Sequence, residues 1–304
     1  MVTINYQLST INYQLKKMKN ILITGANGQL GNEMRVLSME NPEYTCFFTD
    51  VAELDICNRQ AVMDFVKVNG VQTIVNCAAY TAVDKAEDNV ELCTKLNADA
   101  VGYLAQAAEA NGAEFIQIST DYVFDGTSHV PYRETDPTCP NSVYGSTKLE
   151  GERNALTYCS RAMVIRTAWL YSTFGNNFVK TMVRLGKERD SLGVIFDQIG
   201  TPTYARDLAR AIFVAIRQGV VPGVYHFSNE GVCSWYDFTK AIHRLAGITI
   251  CQVKPLHTSE YPTKAIRPHY SVLDKTKIKE TYQIEIPYWM DSLALCIDQL
   301  IVDN

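Results

Sequence analysis

The sequence predicts an α/β protein: a Rossmann-type, doubly wound parallel sheet with a smaller C-terminal substrate-binding lobe. Three observations carry the prediction. Short apolar runs alternate with helix-favouring stretches through the first half of the chain. The first apolar run ends in a glycine-rich turn that opens a helix, TGANGQLG at residues 24–31. The 304 residues are 47% hydrophobic and 20% charged, enough for one nucleotide-binding domain and a second lobe.

The elements follow in order. Residues 20–24 (NILIT) read as a buried parallel strand, and EMRVLSM after the glycine turn reads as a helix. Residues 44–49 form a second strand ending at Asp50, and residues 58–68 a helix that Asn58 or Asp55 can cap. Strands at 71–76, 114–118 and 162–168 alternate with helices at about 88–110 and 142–158. Such alternation requires right-handed crossovers and helices on both faces of the sheet. The second half is less regular. Helices are expected at 176–186, 204–217 and 235–246 and strands at 192–196 and 224–228, after which the rhythm fades. Residues 18–171 are therefore read as the cofactor domain, with 202–228 returning to it, and 172–304 as mainly the substrate-binding lobe.

Composition excludes several classes. A net charge of -5 does not suit a protein that grips nucleic acid. No stretch approaches the roughly 18 apolar residues of a membrane span. The opening MVTINYQLST lacks the apolar core of a signal peptide. Nine cysteines without a C-x-x-C pair point to reduced thiols in a cytoplasmic protein. The five histidines and nine cysteines show no metal-ligand spacing. Residues 3–8 and 10–15 both read TINYQL, too few copies for a coiled coil, so residues 1–17 are read as a leader without a share in the fold.

Gly25, Gly28 and Gly31 have separate tasks in the turn. The first lets the chain turn tightly, the second lets backbone approach a pyrophosphate, and the third lets helix and strand pack closely. The helix N-terminus then offers free N–H groups to phosphate oxygens. Asp50 ends the second strand about 20 residues on, where a carboxylate can accept from adenosine ribose hydroxyls and repel a 2′-phosphate. It can equally be a solvated loop residue. Asp55 and Ile56 reach the adenine side or serve the next helix.

Tyr144 and Lys148, in YGSTK, are four apart and share one helix face. A phenol is a poor acid at neutral pH, and a neighbouring ammonium lowers its pKa. That pairing lets a tyrosine exchange a proton with a carbonyl or alcohol oxygen. Ser119 and Thr120, ending the fourth strand, would face the same cleft.

TGANGQLG, STDYVFDG and YGSTKLEGE together resemble the extended short-chain dehydrogenase/reductases. Longer blocks are similar to the dTDP-4-dehydrorhamnose reductase family within them: NCAAYTAVDKAE at 76–87, LNADA at 96–100, RTAWLYSTFGNNFVKTM at 166–182, DQIGTPTYARDLA at 197–209 and RPHYSVLD at 267–274. The resemblance implies reduction of the C4 keto group of dTDP-4-dehydro-L-rhamnose by hydride from NADH or NADPH, with Asp50 tilting the choice toward NADH. It implies Tyr144 as proton donor, Lys148 as the group that lowers the phenol's pKa and holds the ribose, and Thr120 as a ligand of the substrate oxygen. Gly25, Asn27, Gly28, Gln29, Leu30, Gly31, Asp50, Asp55 and Ile56 would line the cofactor, with Ala78, Ala79 and Tyr80 along its middle.

Val83, Asp121, Tyr122 and Trp169 are the candidates for the deoxysugar, and Asn177 and Arg267 for the diphosphate. Each has a plainer alternative: Trp169 as core, Asn177 as a helix cap, Arg267 as an ion-pair partner. The resemblance also allows a homodimer, and Mg²⁺ at a dimer contact to which Glu33 would belong. Arg206 stands where a carboxylate would help, so no metal is expected. Two other functions stay open: an epimerase that holds NAD tightly, and a non-catalytic regulatory subunit of the same fold. Turnover without added NADH would favour the first. Loss of part of the Thr120, Tyr144 and Lys148 set would favour the second, and all three are present.

Overall fold

The computed structural model describes residues 19–302, and the proposed leader lies outside the described residues. Six parallel strands form the central sheet: β1 (Lys19–Thr24), β2 (Tyr44–Thr49), β3 (Thr73–Asn76), β4 (Glu114–Thr120), β5 (Ala162–Thr167) and, much later in the chain, Gly223–His226. The spatial order is β2-β1-β3-β4-β5 followed by Gly223–His226. The chain winds outward one way from β1 and then the other way from β3, so the two halves part between those strands. That parting leaves a crevice beyond their C-terminal ends, where doubly wound sheets hold ligands.

Alternation along each strand builds a core on both faces. Ile21 and Ile23 of β1 join Met34 and Leu37 of helix α1 (Gln29–Ser38) and Leu208, Ile212 and Ile216 of the helix Ala205–Gln218. Leu22, between the two isoleucines, joins the opposite core. That core holds Val62 and Val66 of α2 (Arg59–Val68), with Val101 and Leu104 of the helix Ala100–Ala110. Asn58 caps α2, its side chain accepting from the Ala61 N–H.

The long helix expected from residue 88 to 110 is present with an interruption. Helical turns at Val90–Thr94 widen into a π-turn at Lys95–Asp99 before Ala100–Ala110 continues. The helix Val143–Tyr158 starts at Ser142, whose hydroxyl accepts from the Gly145 N–H. The helix after the glycine turn begins at Gln29, four residues before the expected EMRVLSM, because Gly28 itself is its cap.

A third core lies outside the sheet. It gathers Val179 and Met182 of the helix Phe178–Glu188, Leu192 and Val194 of the strand Ser191–Ile195, Phe238 and Ile242 of the helix Trp235–Leu245, and Leu293 and Ile297 of the helix Trp289–Val302. The strand Gln252–Leu256 pairs in parallel with Ser191–Ile195 and was not expected. The helix Ala205–Gln218 packs in the first core, and Gly223–His226 pairs in parallel with β5. Ile278, Tyr282 and Ile286 pack in the first core, because the helix Thr276–Tyr282 closes the open edge beside Gly223–His226. No helix among the described residues is long and apolar enough to cross a membrane.

Candidate active site

At the crevice the glycine turn packs against the end of β3. Gly25 has φ +63°, and a Cβ there would lie 2.6 Å from the backbone of Ala78. A Cβ on Gly31 would lie 2.5 Å from the Ala26 Cα, so that glycine serves close packing within the turn. Gly28 caps α1 with no side-chain bond to the helix N–H groups, which leaves that positive terminus for an anion. Leu30 is buried in the core. Gln29 donates to the Leu170 carbonyl at 3.5 Å, while its buried Oε1 has no partner.

Asp50 closes the other side of the crevice. Its carboxylate accepts from the Asn27 N–H at 3.2 Å and from its neighbour Val51 at 2.9 Å. Asp55 accepts from the Cys57 N–H, and Ile56 is buried in the core, so both contribute to the loop that frames the crevice. Beyond β3, the Ala78 N–H donates to Asn76 Oδ1 at 3.2 Å, and Ala79 is half-buried. Asn97, in the π-turn, accepts from the Tyr80 N–H at 2.8 Å and donates to the Tyr80 carbonyl at 3.2 Å. A crevice with a helix N-terminus free of any side-chain cap, a carboxylate and close backbone fits a dinucleotide.

Thr120, Tyr144 and Lys148 meet at the C-terminal end of β4. Thr120 donates to Asp121 Oδ1 at 2.9 Å, and its hydroxyl also bonds the Tyr144 phenol. Lys148 is 4% exposed and donates to the Ile118 carbonyl at 2.6 Å. Burial lowers its pKa to about 8, against the Glu152 carboxylate, which raises it. Burial, rather than the neighbouring ammonium, sets the net direction for the Tyr144 phenol. Burial pushes the phenol up, and its contact with the Thr120 hydroxyl is what opposes that rise. The phenol is therefore neutral, the form a proton donor needs.

Asp121 is 2% exposed, and burial raises its pKa to about 6, against the hydroxyls of Ser271 and Thr120. Tyr122 sits edge-on to Tyr144 with ring centroids 5.5 Å apart. Arg267 donates to the Tyr122 hydroxyl at 3.2 Å and to Asp84 at 2.8 Å, so part of its fork is already engaged. Val83 precedes Asp84 on the short helix Val83–Ala86. Trp169 adopts φ +47°, a strained backbone for a bulky residue, and stacks on Trp235 at 3.5 Å. Asn177 caps the helix Phe178–Glu188, accepting from the Lys180 N–H and donating to the Ser172 carbonyl. Its side chain is thus occupied by the fold, as the plainer alternative held.

Glu33 does not fit a divalent cation. It is fully buried, and its two oxygens accept from Ser172 at 2.6 Å and from Arg206 Nε at 2.8 Å. Both neighbours are donors, and a guanidinium already neutralises the carboxylate. No group of three or more His, Cys, Asp or Glu among the described residues is placed to hold a metal.

Several residues of this region escaped sequence reasoning. Thr24 donates to Asn76, Asn76 to Gln117, and Gln117 to the Ile118 carbonyl, a buried polar ladder beneath the crevice. Glu152, Arg166 and His226 form a second one. Polar residues inside apolar strands were the available signal for both. Trp235 carried none, since an aromatic residue at a helix start reads as core.

A family model described as the RmlD substrate binding domain matches residues 18–302. A dTDP-4-dehydrorhamnose reductase of Aggregatibacter actinomycetemcomitans is 42% identical over 91% of this chain and 97% of its own length. A solved dTDP-4-dehydrorhamnose reductase from Clostridium acetobutylicum is 46% identical, with TM-score 0.89 over 93% of this chain and 99% of that one. One from Bacillus anthracis, solved with NADP, is 37% identical with TM-score 0.88 over 94% and 99%. The chain belongs to the RmlD substrate-binding-domain family, that of the dTDP-4-dehydrorhamnose reductases.

Proposed function

We propose that the protein reduces the C4 keto group of dTDP-4-dehydro-L-rhamnose to give dTDP-L-rhamnose, using a reduced nicotinamide cofactor. The observation that carries this reading is the half-buried Tyr144 with buried Thr120 and Lys148 at the mouth of the crevice, in a chain that is 42% identical to a reductase of that name. The crevice holds the cofactor through the α1 N-terminus, Gly28 and Asp50, and Lys148 reaches its ribose. Bound dihydronicotinamide supplies the hydride that the keto carbon accepts. Tyr144 gives its phenolic proton to the keto oxygen, so the product leaves with a hydroxyl at C4. Thr120 orients that oxygen and the phenol. Lys148, an ammonium at neutral pH, stabilises the phenolate that results.

Val83, Asp121, Tyr122 and Trp169 line the sugar side, and Arg267 faces the diphosphate. The stacked Trp169 and Trp235 offer a flat apolar wall to one side of the sugar nucleotide. Asp50, with Glu53 accepting from its backbone N–H, puts two carboxylates at the adenosine ribose end, which supports NADH over NADPH. The same proposal places the activity in the cytoplasm, with a homodimer as the assembly to test.

Purified protein is assayed with dTDP-4-dehydro-L-rhamnose and either coenzyme by absorbance at about 340 nm. Tyr144→Phe should lose most turnover, on the order of 10²-fold or more, while binding NADH as before. Full turnover of that variant, or turnover without added coenzyme, overturns the reading.

A further inference from the structure

The structure assigns a positioning role to Glu152, which acts with Arg166 to keep the Lys148 ammonium charged and in place. This rests on the reading of Tyr144 and Lys148 above. Tyr144, Lys148 and Glu152 are successive i, i+4 neighbours on the helix Val143–Tyr158, so they form one stripe. Lys148 and Glu152 are 4% and 2% exposed. A buried ammonium whose bonded partner is the neutral Ile118 carbonyl is a costly charge unless a negative group stands nearby.

Glu152 is that group, and its own position is tightly set. Oε1 accepts from the Ser119 hydroxyl at 2.5 Å and from Arg166 Nε at 2.9 Å, and Oε2 accepts from Arg166 Nη2 at 2.7 Å. The fork of Arg166 continues to His226 Nε2 at 3.4 Å, and its guanidinium lies 5.1 Å over the Phe124 ring. The network therefore spans β4, β5, the strand Gly223–His226 and the helix that carries Tyr144 and Lys148.

The other groups that act on Lys148 are the thiols of Cys93, from the turns Val90–Thr94, and Cys77, beyond β3. Burial pushes Cys77 up to about 12, so its thiol is neutral, and the Cys93 sulfur is engaged with the Thr147 hydroxyl at 3.2 Å. Asp121, from the turn after β4, acts on Tyr144 and not on Lys148. Glu152 is thus the carboxylate that keeps the proton on Lys148, and Arg166 both fixes that carboxylate and tempers its charge.

The test is the alkaline limb of kcat/KM, where Lys148 loses its proton. Glu152→Gln should move the limb down by about one pH unit, the low end of what one neighbouring charge does. Arg166→Gln should move it up, because the carboxylate is left untempered. A merely structural role lowers kcat or Tm in both variants without opposite shifts. Each single variant strands a buried charge, so the charge-balanced Glu152→Gln/Arg166→Gln protein is measured as well, and its limb should also lie below that of the parent. A limb within about 0.2 units of the parent in every folded variant overturns the inference. Tyr144→Phe and Lys148→Met separate the two levels. If they keep full turnover the underlying reading falls; if they lose it while the limb stays put, only the role of Glu152 falls.

Discussion

Replacing His226 and Asp121 separately should give folding stabilities with opposite pH slopes. His226 is 0% exposed. Its Nδ1 lies 3.1 Å from the Tyr132 carbonyl and so carries the proton, while Nε2 faces Arg166. A second proton would set two cations together away from water. Burial, then Arg166, lowers its pKa from 6.5 to about 3. Below pH 6.5 the unfolded chain takes up a proton that the folded chain refuses, so this stability is full above 6.5 and is lost as pH falls toward 3. The slope is about 1.4 kcal/mol per pH unit, which removes about 2 kcal/mol by pH 5. Asp121 acts the other way. Its pKa rises from 3.8 to about 6, so its contribution is full below 3.8 and is lost as pH rises through 6.

Between about pH 4 and 6 the two slopes cancel in the parent protein. His226→Gln keeps only the Asp121 slope and should gain stability as the solution is acidified across that window. Asp121→Asn keeps only the His226 slope and should lose it. Urea unfolding followed by tryptophan fluorescence would show the two curves diverging by about 2.7 kcal/mol per pH unit. Other titrating groups are common to both variants and drop out of the difference. Parallel curves would refute the placement of these two groups as buried, oppositely shifted neighbours of the site.

Two more outcomes follow from particular contacts. Gly25→Ala forces a non-glycine residue to φ +63° and a methyl to 2.6 Å from the Ala78 backbone. It should cost at least about 2 kcal/mol by thermal unfolding and weaken NADH binding about tenfold by fluorescence titration; parent-like values in both would refute the assigned turn. Arg206→Met leaves the Glu33 carboxylate buried without its counter-ion and should cost about 3–5 kcal/mol, while Glu33→Leu/Arg206→Met recovers most of that. Unfolding curves check the difference, and EDTA should leave the activity of the parent unchanged.

The parallel strands of the first half were readable because strands buried on both faces are apolar runs. Residues 44–49 match Tyr44–Thr49 to the residue, although that strand lies at the sheet edge and is mostly half-buried. The strand Gln252–Leu256 was not readable. It carries Pro255, buries only Val253 fully and pairs with a single partner, so neither period nor composition marks it. The helix Thr276–Tyr282 reads TKIKETY and buries only Ile278 and Tyr282, too little apolar pattern for its place in the first core. Within the site, Tyr144 and Lys148 were legible through their spacing. Their charge states were not, since a phenol kept neutral by burial cannot be inferred from a lysine four positions on.

The sequence by itself determined what local geometry controls: the glycine turn between strand and helix, the shared face of Tyr144 and Lys148, and the alternation that makes a doubly wound sheet. These need only backbone periods and short-range sterics. The tertiary structure alone decided which partners meet. Arg267 reaches Asp84 across 183 positions and Arg206 reaches Glu33 across 173. Only in the folded chain does Arg206 occupy the carboxylate a metal would need, and only there does Glu152 become the counter-charge of a buried lysine. The physical reason is that burial and pairing are properties of the closed chain: a charge's partner and its distance from water are set when distant segments pack, and no local pattern encodes either.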